Sequence, residues 1–242
     1  MTILVVGATG ATGRLLVADL LKHGQKVKAV VRSSEKLSEF LKEDNLQIIT
    51  SGILDLSDAE MTEHVKDCEA VASCLGHNLT FKGMFGHPRR LVTDTARRLC
   101  AAIVANNPEK PVKYVLMNTT GNRNHDLHEP ISFAQKCVIA IIRLLIPPHS
   151  DNENAADYLR TKIGKNNKMI EWTAVRPDGL IDEQTVSNYT LHASPTRSAI
   201  FNPGKTSRIN VARFMAQLLT DTNLWNTWKG QMPVIYNAEP TE

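Results

Sequence analysis

Short apolar segments alternate with amphipathic segments through the first half of the chain. Five apolar runs predict buried strands at residues 2–6, 25–31, 46–50, 70–74 and 112–117. Between them, apolar residues recur at helical spacing and predict helices at 13–22, 34–42, 57–65 and 90–106. Strands that alternate with helices form a parallel sheet through right-handed crossovers. The pattern therefore predicts an α/β fold with helices on both faces of a doubly wound, mostly parallel sheet.

The second half of the chain keeps this alternation less regularly. It predicts a helix at 152–162, a strand at 172–175, a helix at 208–219 capped by Ser207, and a strand at 233–236. Two long segments interrupt the rhythm, at 76–87 and at 119–150, and the second contains a helix-like stretch at 133–145. Long insertions after strands are often binding loops or lids. No linker or repeat divides the sequence, so we expect a single domain over residues 1–242, with C-terminal elements on the substrate side.

Composition narrows the class of protein further. The chain has 242 residues, 42% of them hydrophobic, and its net charge of +3 gives no argument for nucleic acid or for a membrane surface. The four cysteines form no CxxC pair and no His cluster has ligand spacing, so we predict no metal site. No basic segment precedes the first strand, and the apolar stretch 137–146 is too short for a bilayer. We expect a cytoplasmic monomer or homodimer that acts on a small molecule.

A glycine-rich turn follows the first predicted strand, with Gly7, Gly10 and Gly13 in GxxGxxG spacing. The first glycine permits a sharp turn, the second lets the backbone approach a pyrophosphate, and the third lets the helix pack closely on the strand. The helix N-terminus then offers N–H groups and the positive end of its dipole to phosphates. Since the motif lies between a strand and a helix, it predicts a dinucleotide site. We expect the other residues of this loop, Thr9, Ala11 and Thr12, to contact the dinucleotide as well.

The glycine spacing resembles that of the atypical and extended short-chain dehydrogenase/reductases, whose signature is TGxxGxxG. Residues 8–13, ATGATG, are similar to the version found in NmrA-like proteins and in the flavin reductase (biliverdin reductase B) branch. The resemblance extends from residue 1 to about residue 182. It implies a Rossmann fold and an NAD(P) cofactor.

The end of the second strand bears on which dinucleotide is bound. NAD-specific sites place a carboxylate there to hold the ribose hydroxyls. This chain instead has Arg32, followed by two serines, and a guanidinium can bind a 2′-phosphate. The resemblance implies the same, because the family places an NADP-selecting arginine at this position. We therefore predict NADP, with NAD less favoured.

Further cofactor residues are expected where the later strands end. Relatives use an Asp like Asp55 to accept a hydrogen bond from the adenine amine, although this side chain could also cap the helix that begins near Ser57. In the family, the loop after the fourth strand lies beside the adenine ribose and the pyrophosphate. The predicted set after the third to sixth strands is Asp55, Leu56, Cys74, Leu75, Gly76, Asn118, Thr119, Thr120 and Pro177.

Two sets of residues match the catalytic pattern of the family. Thr119 and Thr120 match the Ser or Thr that the family places near the substrate oxygen, and Tyr158 with Lys162 satisfies the YxxxK pattern of a proton-donating pair.

The family's Arg-Pro motif, which Arg176 and Pro177 resemble, argues against Tyr158 and Lys162 as that pair, and we assign no histidine as a general acid. Alignment on that motif places His149 and Glu153, rather than Tyr158 and Lys162, near the Tyr and Lys positions. If the Tyr–Lys pair is absent, a flavin or quinone-like acceptor can still be reduced, because stacking geometry matters more there than a dedicated acid.

Three functions follow from these features. The first is an NADP-dependent oxidoreductase acting on a small carbonyl, flavin or quinone-like substrate. The second is an NmrA-like regulatory protein that senses NADP without turnover. The third, a nucleotide-sugar epimerase or dehydratase, is less favoured because the chain is short for the additional substrate domain of such enzymes.

Overall fold

A computed structural model describes residues 1–77 and 86–238 of the chain. The strands are β1 Thr2–Val6, β2 Lys26–Val31, β3 Leu46–Thr50, β4 Ala70–Ser73, β5 Val112–Met117, β6 Ile170–Pro177, β7 Gly179–Ile181, β8 Tyr189–His192, β9 Lys205–Ser207 and β10 Val234–Asn237. The helices are α1 Ala11–Lys22, α2 Asp58–Val65, α3 Leu91–Ala105, α4 Phe133–Leu145, α5 Pro147–Tyr158, α6 Arg208–Thr220 and α7 Thr222–Trp228.

Eight strands form one sheet in the order β3-β2-β1-β4-β5-β6-β10-β8. All neighbours pair in parallel except β10 with β8, which pair antiparallel. Strand order reverses between β1 and β4, and at such a reversal a crevice opens at the carboxyl ends of the strands. This confirms the predicted doubly wound α/β fold. β7 and β9 form a separate two-stranded parallel sheet.

Helices cover both faces of the sheet. Leu4 and Val6 of β1 belong to a core cluster shared with α2, α3 and α5, whereas Ile3 and Val5 belong to one shared with α1 and α6. Successive side chains of a strand point to opposite faces. Because both faces are packed, the strands carry continuous apolar runs rather than an alternating pattern.

Two predicted helices differ from the observed ones. Residues 34–42 were expected to form a helix, but the chain forms only a 3₁₀ segment at Glu35–Phe40. The helix expected at 152–162 begins earlier, with prolines at its first positions, where a missing N–H costs nothing. It runs on into a π-helical turn at Leu159–Ile163.

The helix-like stretch at 133–145 is observed as α4, which is not a core helix. Phe133, Ile141 and Leu145 are 81%, 56% and 58% exposed. Within the described ranges, no helix is both long and apolar enough to cross a membrane. Of the other predicted insertion, residues 76–87, the part from 78 to 85 lies outside the described residues.

Candidate functional site

The glycine loop between β1 and α1 is shaped by contacts within the protein itself. Gly7 has a φ of +75°, and a Cβ there would lie 2.6 Å from the carbonyl oxygen of Cys74. A Cβ on Gly13 would lie 2.1 Å from the oxygen of Gly7. Two of the three glycines are therefore required by close backbone packing.

Gly10 occupies the open rim of the same loop. It is exposed, and it is the N-cap of α1 without any side-chain capping hydrogen bond. The first N–H groups of a helix have no intrahelical acceptors, and no acidic residue lies in the first turn of α1. These groups are available to the phosphates of a ligand, so the loop fits the pyrophosphate of a dinucleotide.

The remaining predicted cofactor residues follow the carboxyl ends of β2 to β6. These strands are parallel neighbours of one sheet, so the structure brings the residues to a single edge. Asp55 lies after β3, Gly76 after β4 and Asn118 after β5, while Pro177 is the last residue of β6.

Arg32 is the first residue after β2 and is exposed. Within residues 1–77 and 86–238, its guanidinium makes neither a hydrogen bond nor an ion pair. Arg14, from the first turns of α1, differs, because its Nη1 lies 3.4 Å from Glu39 Oε1. Arg32 is thus a cation at the strand end with its donors unused.

The loop after β3 carries Asp55, which is exposed. Its backbone N–H donates to the carbonyl of Gly52 at 2.9 Å. The suggested role of Asp55 as a helix cap is wrong, because Ser57 caps α2: its Oγ accepts from the N–H of Glu60, whose carboxylate accepts from the N–H of Ser57. The Asp55 carboxylate is therefore not held by the helix.

Arg98, from the middle of α3, holds this loop in place. Its guanidinium donates to the carbonyl oxygens of Leu54 and Leu56 and to the carboxylate of Asp58. The side chain of Leu56 itself is buried. Sequence reasoning missed Arg98, since nothing local marks one helical arginine among several.

The loop after β4 is anchored by a buried charge. Asp151 of α5 accepts hydrogen bonds from His77 Nε2 at 2.8 Å and from the backbone N–H groups of Val92 and Thr93 at 2.8 and 3.0 Å. Burial acts to raise the pKa of Asp151, but these hydrogen bonds outweigh it and lower the pKa. Asp151 thereby caps α3 from another helix and fixes the residue that follows Gly76.

Cys74 contributes to this edge mainly through its backbone, against which Gly7 packs. Its thiol lies near the sulfur of Met215, and burial raises the pKa of the thiol to about 12. A neutral thiol of this kind is not a nucleophile at physiological pH.

Two threonines follow β5. Thr119 Oγ1 accepts from the N–H of Gly121 at 3.2 Å and is half-buried. Thr120 Oγ1 is buried and has no hydrogen-bond partner among the described residues. Asn118, in contrast, is turned inward, because its amide donates to the carbonyl of Asn152. The end of β5 thus presents hydroxyl groups that the protein does not fully satisfy.

His149, in the first turn of α5, lies beside these hydroxyls. A Cβ on Gly121 would be 3.2 Å from His149 Cε1 and 3.7 Å from Thr119 Oγ1, so the imidazole and the hydroxyl flank the same glycine. Glu153 lies one turn further along, with Oε1 3.4 Å from His149 Nε2. The structure therefore brings to the β5 edge the pair that the Arg-Pro alignment indicated.

Tyr158 and Lys162 lie elsewhere. Tyr158 is about two and a half turns beyond His149, which is roughly 13 Å along a helix. Its ring packs against α3, where the guanidinium of Arg97 lies 5.5 Å from the ring centroid. Tyr158 and Lys162 line a surface groove of about 460 Å³ between α3 and α5. The structure does not bring this pair to Thr119.

Arg176, near the end of β6, has a role that the alignment did not reveal. It is fully buried and forms a two-pronged ion pair with Glu129, at 3.0 and 2.7 Å. It also donates to the carbonyls of Asn122, Ala193 and Met232. All five N–H groups of the guanidinium are engaged, so Arg176 holds the loop after β5 rather than a ligand.

The fold and the glycine loop together define a dinucleotide-binding protein of the Rossmann type. Residues 7–222 match the model of the NAD(P)H-binding family, and the chain belongs to that family. Among curated proteins, none matches the sequence.

Solved structures of similar fold span nearly the whole chain. An oxidoreductase from Lactococcus lactis is 16% identical, with a TM-score of 0.70, and the match covers 100% of this chain and 93% of that one. An anaerobillin reductase from Escherichia coli O157:H7 is 15% identical, with a TM-score of 0.69 and 100% of both chains covered. A short-chain dehydrogenase/reductase from Veillonella parvula, in complex with NADP, is 16% identical, with a TM-score of 0.68 and coverage of 99% and 94%. These likenesses show a shared fold, and the family match confirms the expected NAD(P)-binding class.

Proposed function

We propose that this protein is an NADP-dependent reductase that transfers a hydride to a small carbonyl, flavin or quinone-like acceptor. The observation that carries the proposal is the buried hydroxyl of Thr120 just after β5, which has no hydrogen-bond partner among the described residues and lies on the same sheet edge as the glycine loop. Buried polar atoms without partners are expensive, so they mark places where a ligand supplies the missing bonds. The names of two similar structures, an oxidoreductase and an anaerobillin reductase, support the same class.

The preference for NADP is supported by Arg32. Its guanidinium has no partner within the described residues, and no carboxylate stands at the end of β2 to hold ribose hydroxyls. A guanidinium matches a phosphate group in both charge and geometry. One similar structure, at 16% identity, was obtained with NADP.

In this arrangement the chain's own residues divide the work. The α1 N-terminus would hold the pyrophosphate, Arg32 the 2′-phosphate and Asp55 the adenine amine. Thr119 and Thr120 orient the acceptor. The bound cofactor supplies the hydride when it is in its reduced form.

The first test measures binding. Arg32→Ala should weaken NADPH by tenfold or more, the scale of one charge-assisted hydrogen bond, and should change NADH affinity less than twofold. Lys26→Ala, an exposed cation at the other end of β2, is the matched control and should change neither. Equal weakening of both dinucleotides by Arg32→Ala would remove the argument for NADP.

The second test measures turnover. NADPH oxidation is followed with aldehydes, quinones and flavins as acceptors. Turnover with any class supports the reductase. Tight NADPH binding without turnover in every class would contradict it and would favour an NADP-sensing role instead.

A further inference from the structure

The imidazole of His149 lies between the carboxyl end of β5 and the carboxylate of Glu153. Its side chain is only 13% exposed, and its buried Nε2 lies 3.4 Å from Glu153 Oε1. The Cε1 edge of the ring faces Gly121, with Cε1 at 3.2 Å and Nδ1 at 3.8 Å from the place of a Cβ on that glycine. The ring therefore has Nε2 toward Glu153, while Nδ1 and Thr119 Oγ1 both lie within 4 Å of the same point beside Gly121.

Glu153 is held in its ionised form by a second contact. Arg143, from α4, donates to both of its carboxylate oxygens at 2.7 and 2.9 Å. Burial acts to raise the pKa of Glu153, but the His149 and Arg143 side chains outweigh it and lower the pKa to about 2. A permanent negative charge thus stands 3.4 Å from His149 Nε2.

We infer that His149 is the proton donor of the proposed reductase and that Glu153, fixed by Arg143, positions and supports its imidazolium form. The inference also narrows the acceptor class to carbonyl compounds. The oxygen of a reduced carbonyl is strongly basic and gains from a placed acid, whereas a reduced flavin is stable as an anion. This inference rests on the proposed function.

The step balances as follows. A reduced dinucleotide would supply the hydride that the carbonyl carbon receives, and the π electron pair of the C=O bond would then move onto oxygen. That oxygen takes the proton from His149 Nδ1, while the hydroxyl of Thr119, which accepts from the N–H of Gly121, keeps its own proton to orient the oxygen. Water then returns a proton to the neutral imidazole. The products are an alcohol and the oxidised cofactor.

The charged groups facing His149 come from two elements. Glu153 lies on the same helix, and Arg143 of α4 contacts that carboxylate. The loop after β5 presents Thr119 and Gly121, which do not titrate. Asp151, also on α5, is directed toward α3 instead.

The experiment compares His149→Gln with the wild type on two acceptor classes. Carbonyl turnover should fall by roughly 100-fold or more, the scale of general acid catalysis, while flavin turnover falls less than threefold. The Kd for NADPH should stay within twofold. His64→Gln, a histidine of α2, is the matched control and should change neither rate.

A second variant, Glu153→Gln, tests whether Glu153 positions the imidazole of His149. Carbonyl turnover should fall in this variant, because the imidazole loses the carboxylate that positions it. At a fixed pH, ¹⁵N spectra of the ring in the cofactor-free protein should differ from those of the wild type, because Nε2 loses the carboxylate that lies 3.4 Å away. This readout needs no turnover, so it tests the role of Glu153 whether or not His149→Gln folds.

The outcomes separate the two proposals. If the wild type reduces flavins or quinones but no carbonyl, or if His149→Gln lowers both acceptor classes equally, His149 is not the proton donor and the reductase function stands. If the wild type reduces no acceptor, the proposed function fails and this inference falls with it. Unchanged ring spectra in Glu153→Gln would overturn the role of Glu153.

Discussion

Asp151 accepts a hydrogen bond from His77 at 2.8 Å, and their side chains are only 0% and 4% exposed. The same carboxylate caps α3 through the N–H groups of Val92 and Thr93. One buried charge therefore joins the loop after β4 to two helices.

We expect Asp151→Ala to lower the free energy of unfolding by about 3 kcal/mol, because it leaves buried donors without an acceptor. Urea denaturation measures the loss. Asp157→Ala, which removes an exposed carboxylate paired with Arg160 on the same helix, should cost less than about 1 kcal/mol. Similar losses in both variants would show that Asp151 has no special role.

The buried pair of Arg176 and Glu129 leads to a related prediction. Arg176→Met leaves the Glu129 carboxylate buried without its partner and should cost about 3–5 kcal/mol of unfolding free energy. The double variant Arg176→Met/Glu129→Leu should recover part of that loss. Arg208→Met, which breaks an exposed pair with Asp182, is the control and should cost less than about 1 kcal/mol. A double variant no more stable than Arg176→Met would contradict this account.

Two glycines of the glycine loop have different roles: Gly13 is needed for packing, whereas Gly10 is expected to serve cofactor binding. Gly13→Ala forces a methyl group to within 2.1 Å of a backbone oxygen and should lower the unfolding free energy by roughly 2–4 kcal/mol. Gly10→Ala should change stability by less than about 1 kcal/mol, because its Cβ contact is 3.2 Å and its φ of −72° suits any residue.

The binding half of this prediction is measured by NADPH titration. Gly10→Ala should raise the Kd tenfold or more, since its methyl group lies on the rim that the pyrophosphate approaches. Gly76→Ala is the control for the stability measurement alone, because a Cβ there would meet nothing within 4 Å but Gly76 is itself an expected cofactor residue. Unchanged NADPH affinity in Gly10→Ala would argue against the glycine loop as the pyrophosphate site.

Tyr158 is expected to be dispensable for turnover. Tyr158→Phe keeps the ring beneath Arg97 and removes only the hydroxyl, so any reductase activity should stay within about twofold of the wild type. Steady-state kcat measures this. A fall of several orders of magnitude would show that Tyr158 and Lys162 are the catalytic pair after all.

The thiols differ in exposure. Cys137 on α4 is exposed, whereas Cys68 and Cys100 are buried, and burial raises the pKa of Cys68 to about 11. We expect a single fast-reacting thiol at pH 8 with a disulfide reagent, and Cys137→Ser should remove it. A fast phase that survives this substitution would contradict the burial of the other thiols.

The parallel strands were predictable because each is an apolar run buried on both faces. β1, β3 and β5 have the predicted bounds, and Ser207 caps α6 as expected. β7 and β9 were not predicted. Each has three residues, and they exist because they pair with each other across more than twenty positions of sequence.

The candidate site likewise has features that local sequence predicted and features that it did not. Local spacing indicated the glycine loop and the strand ends. The ion pair of Arg176 with Glu129 spans 47 positions, and no local pattern marks it. Prolines at the start of α5 were an available signal for its earlier beginning, and that beginning is what brings His149 to the β5 edge.

The saturation of Arg176 has a consequence for substrate charge. Its positive charge is balanced by Glu129, and every N–H of its guanidinium already has an acceptor inside the protein. An acceptor molecule bearing a carboxylate would find no free guanidinium fork on this residue. Selection at the end of β6 should therefore favour neutral molecules, recognised by shape and by hydroxyl groups.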